Sequence, residues 1–160
     1  MEQYFADSAL QIDMLVSFVI AAVLGGLIGI ERELARKPAG FRTLMIVAGT
    51  SSLLMSLGTV LADDAAAIGS QGIDPSRVIQ AIVMGIGFIC AGTIIRHRAG
   101  EHIEGLTTSA VILAAASIGI SVAMHQLLLA IGVTVITLVI LVAFRTVENF
   151  LARKNSRPRD

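Results

Sequence analysis

The chain has 160 residues, of which 55% are hydrophobic and 15% charged, and its 12 basic and 12 acidic side chains leave no formal net charge at pH 7. Its mean hydropathy of +0.82 lies far above that of an average soluble domain. These values exclude an ordinary soluble domain and indicate a membrane protein. The single Cys90 excludes an intrachain disulfide and a zinc cluster built on cysteines.

Five blocks of the chain contain no charged residue, and they cover residues 14–30, 43–62, 78–95, 105–124 and 127–144. A helix of about 20 residues crosses roughly 30 Å of hydrocarbon, so each block is able to span a bilayer, the shorter ones with snorkelling flanks or a locally thinner membrane. The first block is expected to be retained, because its leader has no positive charge and no small-residue cleavage site. The pattern predicts an all-α polytopic membrane protein with five transmembrane helices.

The distribution of lysine and arginine predicts the orientation, because basic loops stay on the cytosolic side. The amino terminus, the loop after the second block as far as residue 76 and the turn around His125 contain no basic residue. We therefore expect the amino terminus outside and the carboxyl terminus inside, with a transmembrane domain over residues 1–150 and a short basic cytosolic tail over 151–160. The basic residues expected on the inside are Arg32, Arg36, Lys37, Arg42, Arg96, Arg98, Arg145, Arg153, Lys154, Arg157 and Arg159.

Three motifs occur in a fixed order along the chain: "GGLIGIERE" followed by "AGFRT" over residues 25–43, "RVIQAIVMGIGFICAG" over 77–92, and "GLTTSA" over 105–110. Together they resemble the three signature blocks of the MgtC/SapB family, and the resemblance covers nearly all five blocks. It implies a multi-pass protein of the bacterial cytoplasmic (inner) membrane, in a family associated with magnesium limitation and, in some pathogens, with survival inside host cells. Many members continue into a soluble cytosolic domain, whereas here only a short tail follows Phe150.

Small residues recur four positions apart inside the predicted spans. Such pairs let helix backbones approach closely where lipid supplies no hydrophobic driving force, so they are expected at helix–helix contacts, either ordinary packing or self-association. The last span, rich in branched apolar residues, is expected to face lipid. The residues predicted to pack helices are Gly25, Gly29, Gly85, Gly87, Ala91, Gly92 and Gly119.

The predicted topology places the polar residues of the three motifs at one side of the membrane. Ionisable groups at membrane depth are costly unless paired, so Glu31 is expected to pair with Arg42, Arg32 or Arg96. Two interpretations stay open: an ion-pair network that only joins helix ends, or a functional site for an ion, an anionic lipid head group or a partner protein. The predicted cytosolic-side cluster consists of Glu31, Arg32, Glu33, Arg42, Thr43, Thr93, Arg96, Thr107 and Thr108.

Enzyme chemistry finds no support in the sequence. The segment "GIGFIC" begins as G-x-G, but Cys90 stands in place of the third glycine and the segment lies within a predicted span, so a nucleotide-binding loop is not expected. HExxH, GxSxG and paired catalytic carboxylates do not occur. We expect no catalytic residue, no cofactor and no nucleic-acid partner, and we assign no metal ligand.

Two classes of function remain. In the first, the protein is a regulatory or interaction module that self-associates, as a homo-oligomer, or binds another membrane protein or a lipid through its glycine-rich helices. In the second, it is an oligomeric transporter or channel subunit for Mg²⁺ or another cation, because five short helices leave little room for a path within one chain. Glu31 and Glu33 are the acidic residues nearest the predicted inner edge, and the surplus of arginine there suits phosphate or anionic lipid better than a cation.

Overall fold

The computed structural model describes residues 2–67, 74–96 and 103–155, with side chains described for residues 8–65, 74–94 and 104–144. Each helix contains a segment long and apolar enough to cross a membrane, which confirms the predicted all-α membrane fold with five spans. In chain order the helices are α1 Glu2–Leu34, α2 Phe41–Ala67, α3 Pro75–Thr93, α4 Leu106–Ala123 and α5 Leu127–Asn155.

The helices extend beyond the charge-free blocks at several ends. α1 begins at Glu2 because the polar residues before residue 14 include no proline or glycine that would stop a helix. α3 begins three residues earlier than predicted, where Asp74 caps it and Pro75 occupies a first-turn position. α5 continues to Asn155, so at 1.5 Å per residue its 29 residues measure about 43 Å.

The connection between α1 and α2 is a short turn closed by backbone hydrogen bonds. The amide of Arg36 donates to the carbonyl of Glu33 at 3.0 Å, and that of Lys37 donates to the carbonyl of Arg32 at 3.0 Å. These two bonds form a Schellman motif, in which the residue after the helix commonly adopts a left-handed backbone, as Arg36 does with φ of 53°. The chain therefore reverses within a few residues and places α2 antiparallel to α1.

The connection between α3 and α4 contains a two-residue antiparallel ladder that the sequence analysis did not predict. β1 Ile95–Arg96 pairs with β2 Ile103–Glu104. The ladder brings the end of α3 next to the start of α4, as the α1–α2 turn does for the first helix pair.

α1, α2 and α4 form the centre of the bundle, and they meet at Ala48. A Cβ atom added to Gly25 of α1 would lie 2.8 Å from the Cβ of Ala48, and one added to Gly119 of α4 would collide with the Ala48 carbonyl oxygen. Ala48 itself is fully buried. Two glycines on two different helices therefore allow α1 and α4 to approach the same point of α2.

α3 and α5 lie at the periphery, and most of their residues remain uncovered by the chain. α3 packs mainly on α4, and α5 packs on α4 and α1. The expectation of an outer position for the last span agrees with this arrangement, and α3 shares that position.

The bundle has two ends with different chemistry. The hairpin end comprises the α1–α2 turn, the ladder, and the adjoining ends of α3 and α4. The far end comprises the α4–α5 turn and the start of α3, and there His125 Nε2 lies 3.9 Å from Asp13 Oδ2, both side chains being exposed.

Candidate functional site

Arg32, at the last turn of α1, is a buried charged member of the predicted polar cluster. Its side chain is only 4% exposed, and its Nη2 donates a hydrogen bond of 2.9 Å to Oγ1 of Thr108, also buried, on α4. Its Nε has no hydrogen-bond partner among the described residues. The hairpin end thus contains a fixed positive charge enclosed by protein.

Glu33 makes the side-chain contact that joins α1 to the start of α2. Its Oε2 accepts a hydrogen bond of 3.0 Å from the backbone amide of Phe41, the first residue of α2. A carboxylate at a helix N-terminus satisfies one of the free amides there and interacts favourably with the helix dipole. Glu33 is a predicted member of the cluster, but its bond to the Phe41 amide is not predicted from the sequence. Pairing of Glu31, which is half-buried, with Arg42, which is exposed, stays a prediction.

A network of hydroxyl groups joins α3 to α4. The hydroxyls of Thr93 and Ser109 lie 2.8 Å apart, and the Ser109 hydroxyl is also 3.1 Å from the carbonyl oxygen of Cys90. Cys90 Sγ in turn lies 3.3 Å from the Ser109 carbonyl oxygen. Each of the two helices therefore donates a hydrogen bond to the other at the hairpin end. Of these three residues, only Thr93 is a member of the cluster predicted from the sequence.

Ser109 and Gly105 are not among the residues predicted from the sequence. The Ser109 hydroxyl lies 3.0 Å from the Gly105 carbonyl oxygen. Gly105 has φ of 92°, and a Cβ atom there would collide with the Thr93 carbonyl oxygen. Only glycine tolerates both conditions at once. The signal was present in the motif "GLTTSA", in which a glycine directly precedes a polar first turn of an apolar helix.

The remaining members of the predicted cluster do not all converge. Thr107 is exposed, although it adjoins the buried Thr108. Arg42 and Thr43 are exposed on the first turn of α2. Arg96 lies in β1, and its side chain falls outside the described residues. Thr108 and Thr93 therefore belong to two separate contacts, one to α1 and one between α3 and α4.

An open pocket lies beside the α1–α2 turn, with a volume of about 490 Å³. Its wall carries both signs of charge but more positive than negative. The lining residues are Glu33, Arg36, Lys37, Gly40, Arg42 and Thr43. We call this the hairpin pocket.

The predicted packing residues fall into two groups. Three of them lie against other helices: added Cβ atoms at Gly25 and Gly29 would approach the backbone of α2 to 2.5 and 2.6 Å, and one at Gly119 would meet Ala48. The other group lies on α3, where added Cβ atoms at Gly85, Gly87 and Gly92 would meet nothing within 4 Å and Ala91 is exposed. Among the described residues, this α3 group therefore does not pack against another helix.

The sequence assigns no metal ligand. Across residues 8–65, 74–94 and 104–144, no group of three or more histidine, cysteine, aspartate or glutamate side chains is close enough to hold an ion.

Five apolar helices with a polar, mostly basic cluster at one end define a multi-pass helical membrane protein. The model of the MgtC family matches residues 18–150, and the chain belongs to that family. This establishes the resemblance found in the three motifs.

Several named proteins are similar to the chain. It is 34% identical over 143 residues to the "Putative magnesium transporter YhiD" of Escherichia coli K12, covering 89% of this chain and 66% of that protein. It is 33% identical over 133 residues to Protein MgtC of Salmonella typhimurium LT2, covering 82% and 52% respectively. An uncharacterized protein of Haemophilus influenzae is 39% identical over 143 residues, covering 88% of this chain and 59% of that protein.

The chain thus spans between about half and two thirds of the length of these three relatives. No solved structure matches the chain.

Proposed function

We propose that the chain is a regulatory or interaction module of the bacterial inner membrane, used in adaptation to magnesium limitation, and that it acts by associating through α3 with a second copy. The observation that carries this proposal is the open face of α3. Added Cβ atoms at Gly85, Gly87 and Gly92 would meet nothing within 4 Å, although such residues are typical of helix contacts in membranes.

The same face of α3 has large side chains next to the small ones. Met84 is 76% exposed and lies three residues before Gly87, and Phe88 is 84% exposed and lies four residues before Gly92, spacings that share a helix face. Side chains of this size fit into the shallow groove that glycines leave on a facing helix, so the surface is suited to a copy of itself. The link to magnesium rests on membership of the MgtC family and on the name of the YhiD relative.

The orientation proposed for this module has the hairpin end in the cytosol. The basic residues at that end support it, because such residues keep a loop on the cytosolic side. A fusion of a periplasm-active phosphatase to the carboxyl terminus should be inactive, and a fusion of a cytosol-active reporter at the same place should be active. The opposite pattern would refute the orientation.

The association is tested by Gly87→Leu, with Gly132→Leu as the matched control. At both glycines an added Cβ atom meets no described residue within 4 Å, so neither position packs against a helix among the described residues of a single copy. In mild detergent, Gly87→Leu should shift the oligomer measured by light scattering toward the monomer, whereas Gly132→Leu on α5 should leave it unchanged. Identical profiles for the two variants would rule out the α3 contact.

A cation transporter is the second candidate, and the name of the YhiD relative favours it. The enclosed charge of Arg32 at the hairpin end opposes it, since a cation passing there would be repelled. Mg²⁺ uptake into liposomes that contain only this chain and a Mg²⁺-sensitive dye distinguishes a transporter from an interaction module. We expect no uptake above that of protein-free liposomes, and sustained uptake would establish the transporter instead.

A further inference from the structure

We infer that the hairpin pocket binds the phosphate group of an anionic ligand, with Arg36, Lys37 and Arg42 as its cationic wall. This inference does not rest on association through α3. It assigns a ligand class to a surface on a different part of the bundle.

The charges of the pocket are the first support. Three lining residues are basic and one, Glu33, is acidic, so the formal charge of the wall is +3 − 1 = +2. The Glu33 carboxylate is already engaged by the Phe41 amide. Among the described residues, the ion pair within 4.0 Å is that of His125 with Asp13, at the far end of the bundle. The charge of the three basic side chains is therefore available to a ligand.

The start of α2 is the second support, and it is independent of the basic side chains. α2 has 27 residues, and the amides of its first turn have no acceptor within the helix. Glu33 satisfies the amide of Phe41, and that of Leu44 donates to the Gly40 carbonyl at 3.2 Å. The amides between these two belong to Arg42 and Thr43, which both line the pocket. Helix N-termini with free amides favour phosphate.

The chemistry of the wall suits a phosphate group. Arginine guanidinium groups bind phosphate oxygens through paired hydrogen bonds, and two of the three basic residues are arginines. A volume of about 490 Å³ lies within the ordinary range of small-ligand sites. The pocket lies between the end of the first candidate membrane span and the start of the second, where phospholipid phosphates are expected. A lipid head group and a free phosphate are therefore both possible sources.

Binding can be measured by native mass spectrometry of the whole chain released from a neutral detergent. The probes are dioleoyl phosphatidylglycerol, dioleoyl phosphatidylcholine as the lipid without net charge, and inorganic phosphate as a competitor. We expect phosphatidylglycerol to bind more tightly than phosphatidylcholine, and binding to weaken as salt is added. Arg42→Gln should weaken the binding of phosphatidylglycerol about fivefold, as expected for one basic residue near an anionic surface.

The matched control is Arg77→Gln, which removes the same charge from an exposed arginine at the far end. It should leave the affinity for phosphatidylglycerol unchanged. Because Arg42 lies in the first turn of α2, Lys37→Gln in the preceding turn repeats the test, and the thermal midpoint of each variant shows whether it is folded.

The competitor distinguishes the sources of the phosphate. If millimolar inorganic phosphate displaces phosphatidylglycerol, the pocket accepts a soluble anion. If it does not, the lipid head group is the ligand. Both results support the inference. The inference would be overturned if neither Arg42→Gln nor Lys37→Gln changed the affinity for phosphatidylglycerol, or if Arg77→Gln lowered it equally. The oligomer profile tests the association through α3 separately.

Discussion

Arg32 on α1 donates a hydrogen bond of 2.9 Å to Thr108 on α4, although the two residues lie 76 positions apart in the chain. Both side chains are almost completely buried. A buried guanidinium that loses its acceptor is still desolvated, and no hydrogen bond then offsets that free-energy cost. This hydrogen bond therefore contributes more to stability than one on the surface. It holds the first and fourth helices together at the hairpin end.

Thr108→Val should therefore destabilise the protein by about 1 to 3 kcal/mol, because it removes the acceptor and leaves the buried Arg32 donor unsatisfied. Thr107→Val is the matched control, being the same substitution at the adjacent exposed position, and it should be close to neutral. Unfolding in a mixed detergent titration measures both. Equal losses in the two variants would show that the hydrogen bond to Arg32 contributes nothing of its own.

Gly119→Ala should be strongly destabilising, since the added methyl group would collide with the Ala48 carbonyl oxygen. Overpacking of this kind costs about 1 to 3 kcal/mol and here also separates two backbones. Gly132→Ala adds the same methyl group where nothing lies within 4 Å, and it should preserve or slightly raise the thermal midpoint. A Gly119→Ala variant as stable as Gly132→Ala would contradict the close contact of α2 with α4.

The number of spans could be predicted because each is a block without charges, a property of one segment alone. Which glycines pack within the chain could not. Gly87 with Ala91 has the same spacing as Ala115 with Gly119, yet Gly119 lies against α2, whereas a Cβ atom added to Gly87 meets none of the described residues within 4 Å. The difference depends on where a neighbouring helix lies, and spacing within one helix does not determine that.

The hairpin end shows a similar division. Charge alone suggested that Glu31 would pair with an arginine, because reasoning from charges considers only side chains. That pairing stays a prediction, and a contact that charge alone does not indicate joins the Glu33 side chain to the backbone amide of Phe41 across the turn. That donor becomes visible only when the first residue of α2 is known, and the helix begins two residues before the charge-free block.

Glu33→Ala should reduce stability by about 0.5 to 2 kcal/mol, as the loss of a helix cap generally does. Glu33→Gln retains an oxygen that can accept from Phe41, so its loss should be smaller and should reflect the dipole interaction. Helix content followed through thermal unfolding gives both values. Should the glutamine variant lose as much as the alanine variant, the negative charge and not the hydrogen bond would be the important feature.

The cap of α3 predicts a dependence of stability on pH. Oδ1 of Asp74 accepts a hydrogen bond of 2.9 Å from the Ser76 amide, and this bond lowers the pKa of Asp74 below its ordinary value of 3.8. A group whose pKa is lower in the folded state stabilises that state above its unfolded pKa, and the contribution is lost as pH falls through the folded pKa. The stabilisation should thus be complete above about pH 4 and disappear below it.

Comparison of thermal midpoints between pH 2.5 and 7 for the wild type and Asp74→Asn tests this. The asparagine side chain can cap the helix but does not titrate, so the difference between the two proteins should narrow as the pH falls. A difference that stays constant over the whole range would show that the carboxylate at Asp74 does not contribute through its charge.

The order of helices along the chain has a consequence for biogenesis. α1 and α2 are consecutive and share a short turn, so they can pair as soon as both have left the ribosome. α3 is made next, but it packs mainly on α4, which has not yet been synthesised. During that interval α3 lacks its principal neighbour and must be held by the insertion machinery or by lipid. An arrested chain in which α3 has left the ribosome but α4 has not should therefore cross-link through α3 to an insertase, and emergence of α4 should release it.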